Sequence, residues 1–145
     1  MKLVLQRVKE ARVSVEGKQV GVIGAGLLVF LCIEKGDDEQ LAEHYASKVV
    51  ELRIFGDEQG KMNRSLREVG GEVLLISQFT LAADAEKGRR PSFDRAAPPE
   101  TADRLYRHFA GKLQALGISV ATGVFQAFME VALINDGPVT ILLGN

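Results

Sequence analysis

The chain has 145 residues and a net charge of −1, with 46% hydrophobic and 26% charged residues and a single cysteine. That length predicts one domain over residues 1–145, the lone cysteine excludes a disulfide framework, and the near-neutral charge argues against bulk attraction to nucleic acid, so no DNA partner is expected. No apolar run approaches the ~20 residues of a membrane-spanning helix, and the first residues lack a signal-peptide pattern, so we expect a cytoplasmic protein without a membrane partner.

Three strands are predicted in the first third of the chain. Apolar and polar residues alternate over residues 3–15, a turn at 16–18 leads into "QVGVI", and a turn at 24–26 leads into the apolar run 27–33. Because a strand follows the glycines of the second turn, they do not form a dinucleotide-binding fingerprint. Cys32 lies inside the apolar run, which favours a buried structural thiol over a nucleophile.

Helical spacing predicts two helices in the rest of the chain. The first covers residues 36–55 with Asp37 or Asp38 as its cap, and a loop follows it. The second opens at Pro98 and Pro99 and ends at Gly117. Further strands are predicted at residues 73–81, 118–123, 124–134 and 139–143. The order β-β-β-α-β-α-β-β indicates an α+β domain with mostly antiparallel pairing.

A side-chain acid or base is hard to find in this sequence. The two histidines, His44 and His108, lie beside apolar positions of the predicted helices, and neither is near a Ser or Cys in a recognisable nucleophile elbow. No HExxH, CxxC or paired-His spacing occurs, so no metal is expected, and the absence of a P-loop pattern excludes that class of nucleotide-binding enzyme. No cofactor is expected.

The stretch "SQFTL" (77–81) ends an apolar strand with polar residues. Strand alternation predicts Gln78 and Thr80 on one face and Ser77 and Phe79 on the other. One interpretation is that the core simply meets water here. The other is that the strand end offers free backbone N–H groups as an oxyanion hole, with hydroxyls to orient a substrate.

Two other segments also have a plain and a functional interpretation. Residues 86–100 form a predicted loop with a basic stretch at 87–95 that includes Lys87, Arg89 and Arg90, which is either solvated charge or a phosphate-binding patch. "NDGPVT" (135–140) separates two predicted strands, and is either a rigid turn or a functional backbone element.

Together these segments closely resemble the D-aminoacyl-tRNA deacylase family. The resemblance is carried by "SQFTL", "GRRPSF" (88–93) and "NDGPVT" in the order and spacing of the family, and it extends over nearly the whole chain through "QRV" (6–8), "EKGD" (34–37) and "GKMN" (60–63). The stretch "FQAFM" (125–129) departs from the small or acidic residues expected inside it.

The resemblance implies a barrel-like, homodimeric enzyme that hydrolyses D-aminoacyl-tRNA, and also glycyl-tRNA, with the ribose 2′-OH assisting. It implies that Gly137 and Pro138 form a cis peptide that enters the partner's active site and excludes L-aminoacyl groups. Residues expected to line the ester are Ser77, Gln78, Phe79 and Thr80, with the Gln78 N–H as oxyanion donor. Residues expected to bind the rest of the substrate are Phe125, Met129, Arg89 and Arg90.

Two other functions stay open at this point. One is an RNA-binding module without catalysis, in which the basic loop follows phosphates and Phe93 or Phe125 stacks on a base. The other is a small-molecule esterase with a hidden triad, for which replacement of His44 or His108 by alanine would abolish activity.

Overall fold

The fold was analysed in a computed structural model, which describes residues 1–86 and 88–144. Lys87 of the predicted basic loop, and Asn145, lie outside the described residues. The strands are β1 (Lys2–Val15), β2 (Lys18–Ile23), β3 (Gly26–Cys32), β4 (Phe55–Gly56), β5 (Met62–Arg64), β6 (Glu72–Ser77), β7 (Val120–Thr122) and β8 (Glu130–Gly144). The helices are α1 (Glu39–Glu51) and α2 (Pro99–Ala115).

The main sheet is organised around β1. Its first half pairs with β3, its second half pairs with β2, and β8 runs along nearly its whole length, all antiparallel. The neighbouring pairs β3–β6 and β6–β7 are parallel. The ends of the sheet meet at β2 and β7, where a Cβ on Gly21 would lie only 2.8 Å from the Thr122 carbonyl oxygen. The sheet is therefore a nearly closed barrel, and the predicted α+β, mostly antiparallel, barrel-like fold with two main helices is confirmed.

The apolar run at β3 is continuous because both faces of that strand are covered. Leu27, Val29 and Leu31 belong to a core between the sheet and the two helices, whereas Leu28 belongs to a second core inside the barrel. Strand β6 divides its side chains between the same two cores. Both faces of β3 and β6 are therefore packed against a core up to the end of β6, where the polar stretch begins.

The residues predicted to begin and end the two helices do so in the structure, except that α1 is shorter than predicted. The Asp38 carboxylate caps α1 by accepting from the Leu41 N–H at 2.8 Å, whereas Asp37 instead accepts from the Glu34 N–H at 2.7 Å. α1 ends at Glu51, so the predicted extension to residue 55 is wrong, and a short β4–β5 hairpin occupies the predicted loop. α2 begins at Pro99 and is followed by Gly117 at a φ of 86°, as predicted.

The C-terminal strands differ from the prediction. Residues 123–129 form a loop, and β8 continues through "NDGPVT" instead of turning there. The reason is long-range pairing, since Asn135 pairs with Val8 and Thr140 with Gln6 on the same strand β1. Residues 136–139 therefore form a bulge opposite Arg7, and the interpretation of this segment as a turn between two strands is wrong.

Within residues 1–86 and 88–144, no helix has the length and apolarity needed to cross a bilayer.

Candidate active site

The polar stretch after β6 does not continue as a strand. The chain leaves β6 at Ser77, and Phe79–Ala82 form one turn of 3₁₀ helix, with the Leu81 N–H bonded to the Gln78 carbonyl at 3.2 Å. The predicted strand alternation of Phe79 and Thr80 is therefore wrong. The first N–H groups of a helix have no partner within the helix, and among the described residues the Phe79 and Thr80 N–H groups have none elsewhere.

Gln78 contributes to the site in a different way from the one expected. Its backbone N–H donates to the Leu31 carbonyl at 2.8 Å, so it is not free to act as the oxyanion donor. Its side-chain Nε2 donates to the Thr80 hydroxyl oxygen. Because that oxygen accepts from Gln78, the hydroxyl proton of Thr80 remains available to a substrate. Among the described residues, the free donors at this strand end therefore include the Phe79 and Thr80 N–H groups and the Thr80 hydroxyl.

The strand end opens into a cavity of about 560 Å³. Its walls come from β6 and the turn after it, from α2, and from the loop 123–129 before β8. Residues expected in the site that line it are Ser77, Gln78, Phe79, Phe125 and Met129. Thr80 is exposed, and its hydroxyl is linked to these residues by the hydrogen bond from Gln78. Such a cavity, mostly apolar with a few convergent polar groups, has the character of a small-molecule site.

Tyr106 of α2 fixes one wall of the cavity, and sequence reasoning did not single out this role. Its hydroxyl donates to the Leu75 carbonyl at 2.7 Å, and its ring packs against Phe125 with centroids 6.1 Å apart. Burial, and to a lesser extent the nearby Asp103, raise the pKa of Tyr106, so the phenol stays neutral. A neutral hydroxyl held by a backbone carbonyl positions the ring, and it therefore acts as a wall of the cavity and not as a base.

The basic loop is tied to the same strand end. Phe93 packs edge-on against Phe79 with ring centroids 5.1 Å apart, and the loop is closed by two backbone hydrogen bonds between Asp84 and Ser92. Phe79 is 58% exposed, so its ring lies at the surface between the cavity and the loop. Arg89 and Arg90 are exposed on this loop, outside the cavity lining.

Cys32 lies directly beneath the 3₁₀ turn. The thiol is buried, with Sγ 3.5 Å from the Phe79 carbonyl oxygen. Burial raises its pKa above the ordinary value, with the Glu34 carboxylate adding to the effect. A buried thiol with a raised pKa is a poor nucleophile, and the predicted burial of Cys32 is confirmed.

Gly137 and Pro138 lie apart from the cavity. Both are exposed, their peptide bond is cis, and within the described part of the chain neither lines the cavity. They form the tip of the bulge opposite Arg7. The Arg7 guanidinium donates from Nε to the Asp136 carbonyl at 2.9 Å and from Nη1 to the Ile54 carbonyl at 2.6 Å. Sequence reasoning did not single out Arg7 as the residue that holds this bulge, although a charged residue inside an otherwise apolar alternation was a usable signal.

The histidines lie away from these groups. His44 is exposed on α1, and His108 Nε2 is 3.0 Å from Glu43 Oε1 between the two helices. Hydrogen bonding to His108, and then to Lys112, lowers the pKa of Glu43. No group of three or more His, Cys, Asp or Glu side chains in residues 1–86 and 88–144 is arranged to hold a metal ion.

Comparison with known proteins shows which family this chain resembles. Residues 4–144 match the sequence profile of the family described as D-Tyr-tRNA(Tyr) deacylase. Proteins named D-aminoacyl-tRNA deacylase are 60% identical in Pelobacter propionicus, over 99% of both chains, and 57% identical in Symbiobacterium thermophilum, over 99% of this chain and 95% of the relative.

Two solved structures share the fold. A c-Myc DNA unwinding element binding protein is 40% identical with a TM-score of 0.93, over 100% of this chain and 99% of the other. A probable eukaryotic D-amino acid tRNA deacylase is 17% identical with a TM-score of 0.85, over 98% and 97% of the two chains, and that likeness concerns the fold alone. With a family match over nearly its whole length and relatives at this level of identity, the chain belongs to the D-Tyr-tRNA(Tyr) deacylase family.

Proposed function

We propose that this protein hydrolyses the ester of D-aminoacyl-tRNA, releasing free tRNA and the D-amino acid. The observation that carries the proposal is the 3₁₀ turn after β6, which presents the free N–H groups of Phe79 and Thr80 beside an apolar cavity. Free donors at one point are what an ester carbonyl requires when it becomes an oxyanion. The names of the relatives, D-aminoacyl-tRNA deacylase, point to the same substrate.

The chemistry proposed for this site needs no protein nucleophile. Water adds to the ester carbonyl carbon, negative charge develops on the carbonyl oxygen, and the Phe79 and Thr80 N–H groups stabilise it. The bond between the carbonyl carbon and the ribose oxygen then breaks, and the ribose oxygen leaves with the proton that the attacking water gives up. The hydroxyls of Ser77 and Thr80 orient the ester, with Gln78 holding Thr80 in place. The vicinal 2′-OH of the tRNA assists the proton transfer, which is consistent with the position of both histidines away from the cavity.

Phe125 and Met129 are proposed to hold the terminal adenosine. Both line the cavity, and the Phe125 ring is supported by Tyr106. An aromatic face and a polarisable thioether are suitable surfaces for a nucleobase. The base would then lie across the cavity from the strand end, with the ester directed toward the 3₁₀ turn.

Selection by chirality is proposed to come from a second copy of the chain. Gly137 and Pro138 are exposed and outside their own cavity, which fits a role in the cavity of a partner. Backbone carbonyls there would bind the α-amino group and leave no room for an L side chain. A D side chain would point away, and glycine would be admitted because it has none.

A homodimer is proposed for the same reason. Among the described strands, β8 pairs with β1 alone and so presents an edge, and Ile134 and Leu142 on it are 51% and 73% exposed. A long edge strand with exposed apolar side chains is usually covered by another chain. Light scattering at micromolar concentration should therefore give twice the mass of the chain, and an active monomer would contradict both the dimer and the selection by chirality from a second copy.

Arg89 and Arg90 are proposed to contact tRNA phosphates next to the strand end, to which their loop is tied through Phe93 and Phe79. We also expect the protein to be cytoplasmic, where the substrate would be found.

The decisive experiment measures release of amino acid from tRNA charged with a D-amino acid, with its L enantiomer, and with glycine. We expect fast release of the D-amino acid and glycine, and retention of the L ester. A protein that binds tRNA but releases nothing would be an RNA-binding module. A small-molecule esterase would ignore the RNA and lose activity in His44→Ala or His108→Ala, whereas the proposed enzyme keeps its activity in both variants.

A further inference from the structure

Phe128 is an aromatic residue for which the proposed chemistry has no role. It is 90% exposed, more than any other large hydrophobic side chain of the described chain, yet it also lines the cavity. Exposing so much apolar surface forgoes the stabilisation that burial would provide. Its position at the mouth of a substrate cavity provides a functional reason.

The conformation of the loop 123–129 explains why Phe128 points outward. Gln126 has a positive φ of 63°, and the Ala127 N–H bonds to the Val124 carbonyl at 3.1 Å, which closes a tight turn. On the far side of the turn, Met129 packs so closely on Gly123 that a Cβ there would lie 2.5 Å from the Met129 sulfur. With Met129 directed inward, its neighbour Phe128 is left at the rim.

The two sides of this loop therefore present different surfaces. Phe125 and Met129 are partly buried and pack against the cores, while Phe128 faces solvent beside them. An oligonucleotide whose last base lies between Phe125 and Met129 must continue outward, because its 5′ phosphate connects to the next nucleotide. That next base is the first group of the substrate to meet the rim of the cavity.

We propose that Phe128 stacks on the nucleobase that precedes the terminal adenosine, and so forms a second nucleotide subsite. This inference rests on the proposed function, and it assigns to the enzyme a preference for substrates of at least two nucleotides. Stacking on an aromatic side chain tolerates any base, because every base has a π-face. The subsite therefore adds affinity without selecting among tRNAs by sequence.

The test compares substrates of different length. Purified protein is given a D-amino acid esterified to adenosine, to the dinucleotide cytidylyl-adenosine, and to full tRNA, and kcat and KM are measured for each. Phe128→Ala should raise KM for the dinucleotide and the tRNA by roughly 5- to 20-fold, near the lower end of measured base-stacking effects. It should leave both constants for the mononucleoside unchanged. Phe128→Trp should retain or lower KM for the longer substrates.

Val20→Ala is the matched control, since Val20 is an exposed apolar residue of β2, 44% accessible, outside the cavity lining. It should change none of these constants. The mass of each variant in solution is measured alongside. A Phe128→Ala protein that dissociates into monomers would assign the ring to a subunit contact and overturn the inference.

Two other results would also overturn it. Equal losses on mononucleoside and dinucleotide would place Phe128 in the adenosine pocket or in the folding of the loop, and no loss on any substrate would show that the ring is unused. Failure of the proposed function is distinct, because wild-type protein would then hydrolyse none of the three substrates.

Discussion

The Arg7 Nε atom lies 2.9 Å from the carbonyl oxygen of Asp136, although the two residues are 129 positions apart in the chain. The same guanidinium donates to Ile54, and only 13% of the Arg7 side chain is exposed. The bulge that carries Gly137 and Pro138 is therefore held to β1 by a nearly buried cation. Its backbone is positioned by the protein interior before any substrate or partner binds.

Arg7→Lys should therefore weaken chiral selection and activity together. Lysine keeps the charge but lacks the planar fork that reaches two carbonyls at once. Losing one charge-assisted hydrogen bond costs about 1.5–3 kcal/mol, so kcat/KM for D-aminoacyl-tRNA should fall roughly 10- to 100-fold. Arg12→Lys is the control on the same strand, because Arg12 is exposed and its ion pair with Glu10 is long, at 4.0 Å. Equal kinetics for the two variants would mean that the bulge holds itself in place.

Gly137→Ala should impair the enzyme far more than a glycine replacement elsewhere. Gly137 has a φ of 133°, and a Cβ there would lie 3.0 Å from Val139 and 3.1 Å from Arg7 Nη2. Gly17→Ala is the matched control, with a φ of 77° but no atom within 4 Å of its Cβ. Both replacements strain the backbone by about 1–3 kcal/mol, measurable by urea unfolding. Only Gly137→Ala should reduce D-amino acid release by 100-fold or more, and similar activities in the two variants would argue against the proposed role of Gly137 in the partner's cavity.

Ser77→Ala and Thr80→Ala should each slow hydrolysis without abolishing it. These hydroxyls are proposed to orient the ester, while the oxyanion donors are backbone N–H groups that the replacements leave in place. A loss of about 2- to 10-fold in kcat is expected from one neutral hydrogen bond, worth roughly 0.5–1.5 kcal/mol. Thr80→Ser should restore most of the rate. A complete loss in Ser77→Ala, together with a trapped acyl-enzyme in the wild type, would point to covalent catalysis instead.

Replacing Arg89 and Arg90 by glutamine should flatten the salt dependence of tRNA binding. Each phosphate contact releases about 0.7–0.9 counterions, so the slope of log K against log salt should decrease by about 1.4–1.8. The control carries the same charge change at Arg12 and Lys18, which lie on β1 and β2 away from the cavity lining. An unchanged slope in the Arg89/Arg90 variant would mean that the loop carries only solvated charge.

Stability should decline at alkaline pH in a way that depends on Cys32. Its pKa is raised above the ordinary value of 9.0 by burial, so the folded protein holds this proton more tightly than the unfolded chain does. The corresponding stability is fully present below about pH 9 and is lost as the pH rises toward the folded pKa. Urea unfolding between pH 7 and pH 10 should show a smaller decline in Cys32→Ala than in wild type. Parallel curves would contradict the assignment.

Several parts of this protein could be predicted from local sequence because the signals act over a few residues. Pro99 and Gly117 bound α2, Asp38 caps α1, and β3 is recognisable from its length and its apolar residues. The polar strand end at residues 77–80 was also recognisable in advance, since its polar character interrupts an apolar strand. Their grouping with Phe125 and Met129 followed from the family resemblance.

Other parts were decided only by contacts between distant residues. The parallel pairing of β6 with β3 places the Gln78 N–H on the Leu31 carbonyl, which changes which donors are free. The bulge at Gly137 exists because β8 pairs with β1 on both sides of Arg7. The sequence by itself determined which residues could do chemistry and which segments could be helix or strand, since those properties are local. Tertiary structure alone decided which N–H groups stay unpaired and which backbone is held at the surface, because a hydrogen-bond partner far along the chain leaves no periodic pattern near either residue.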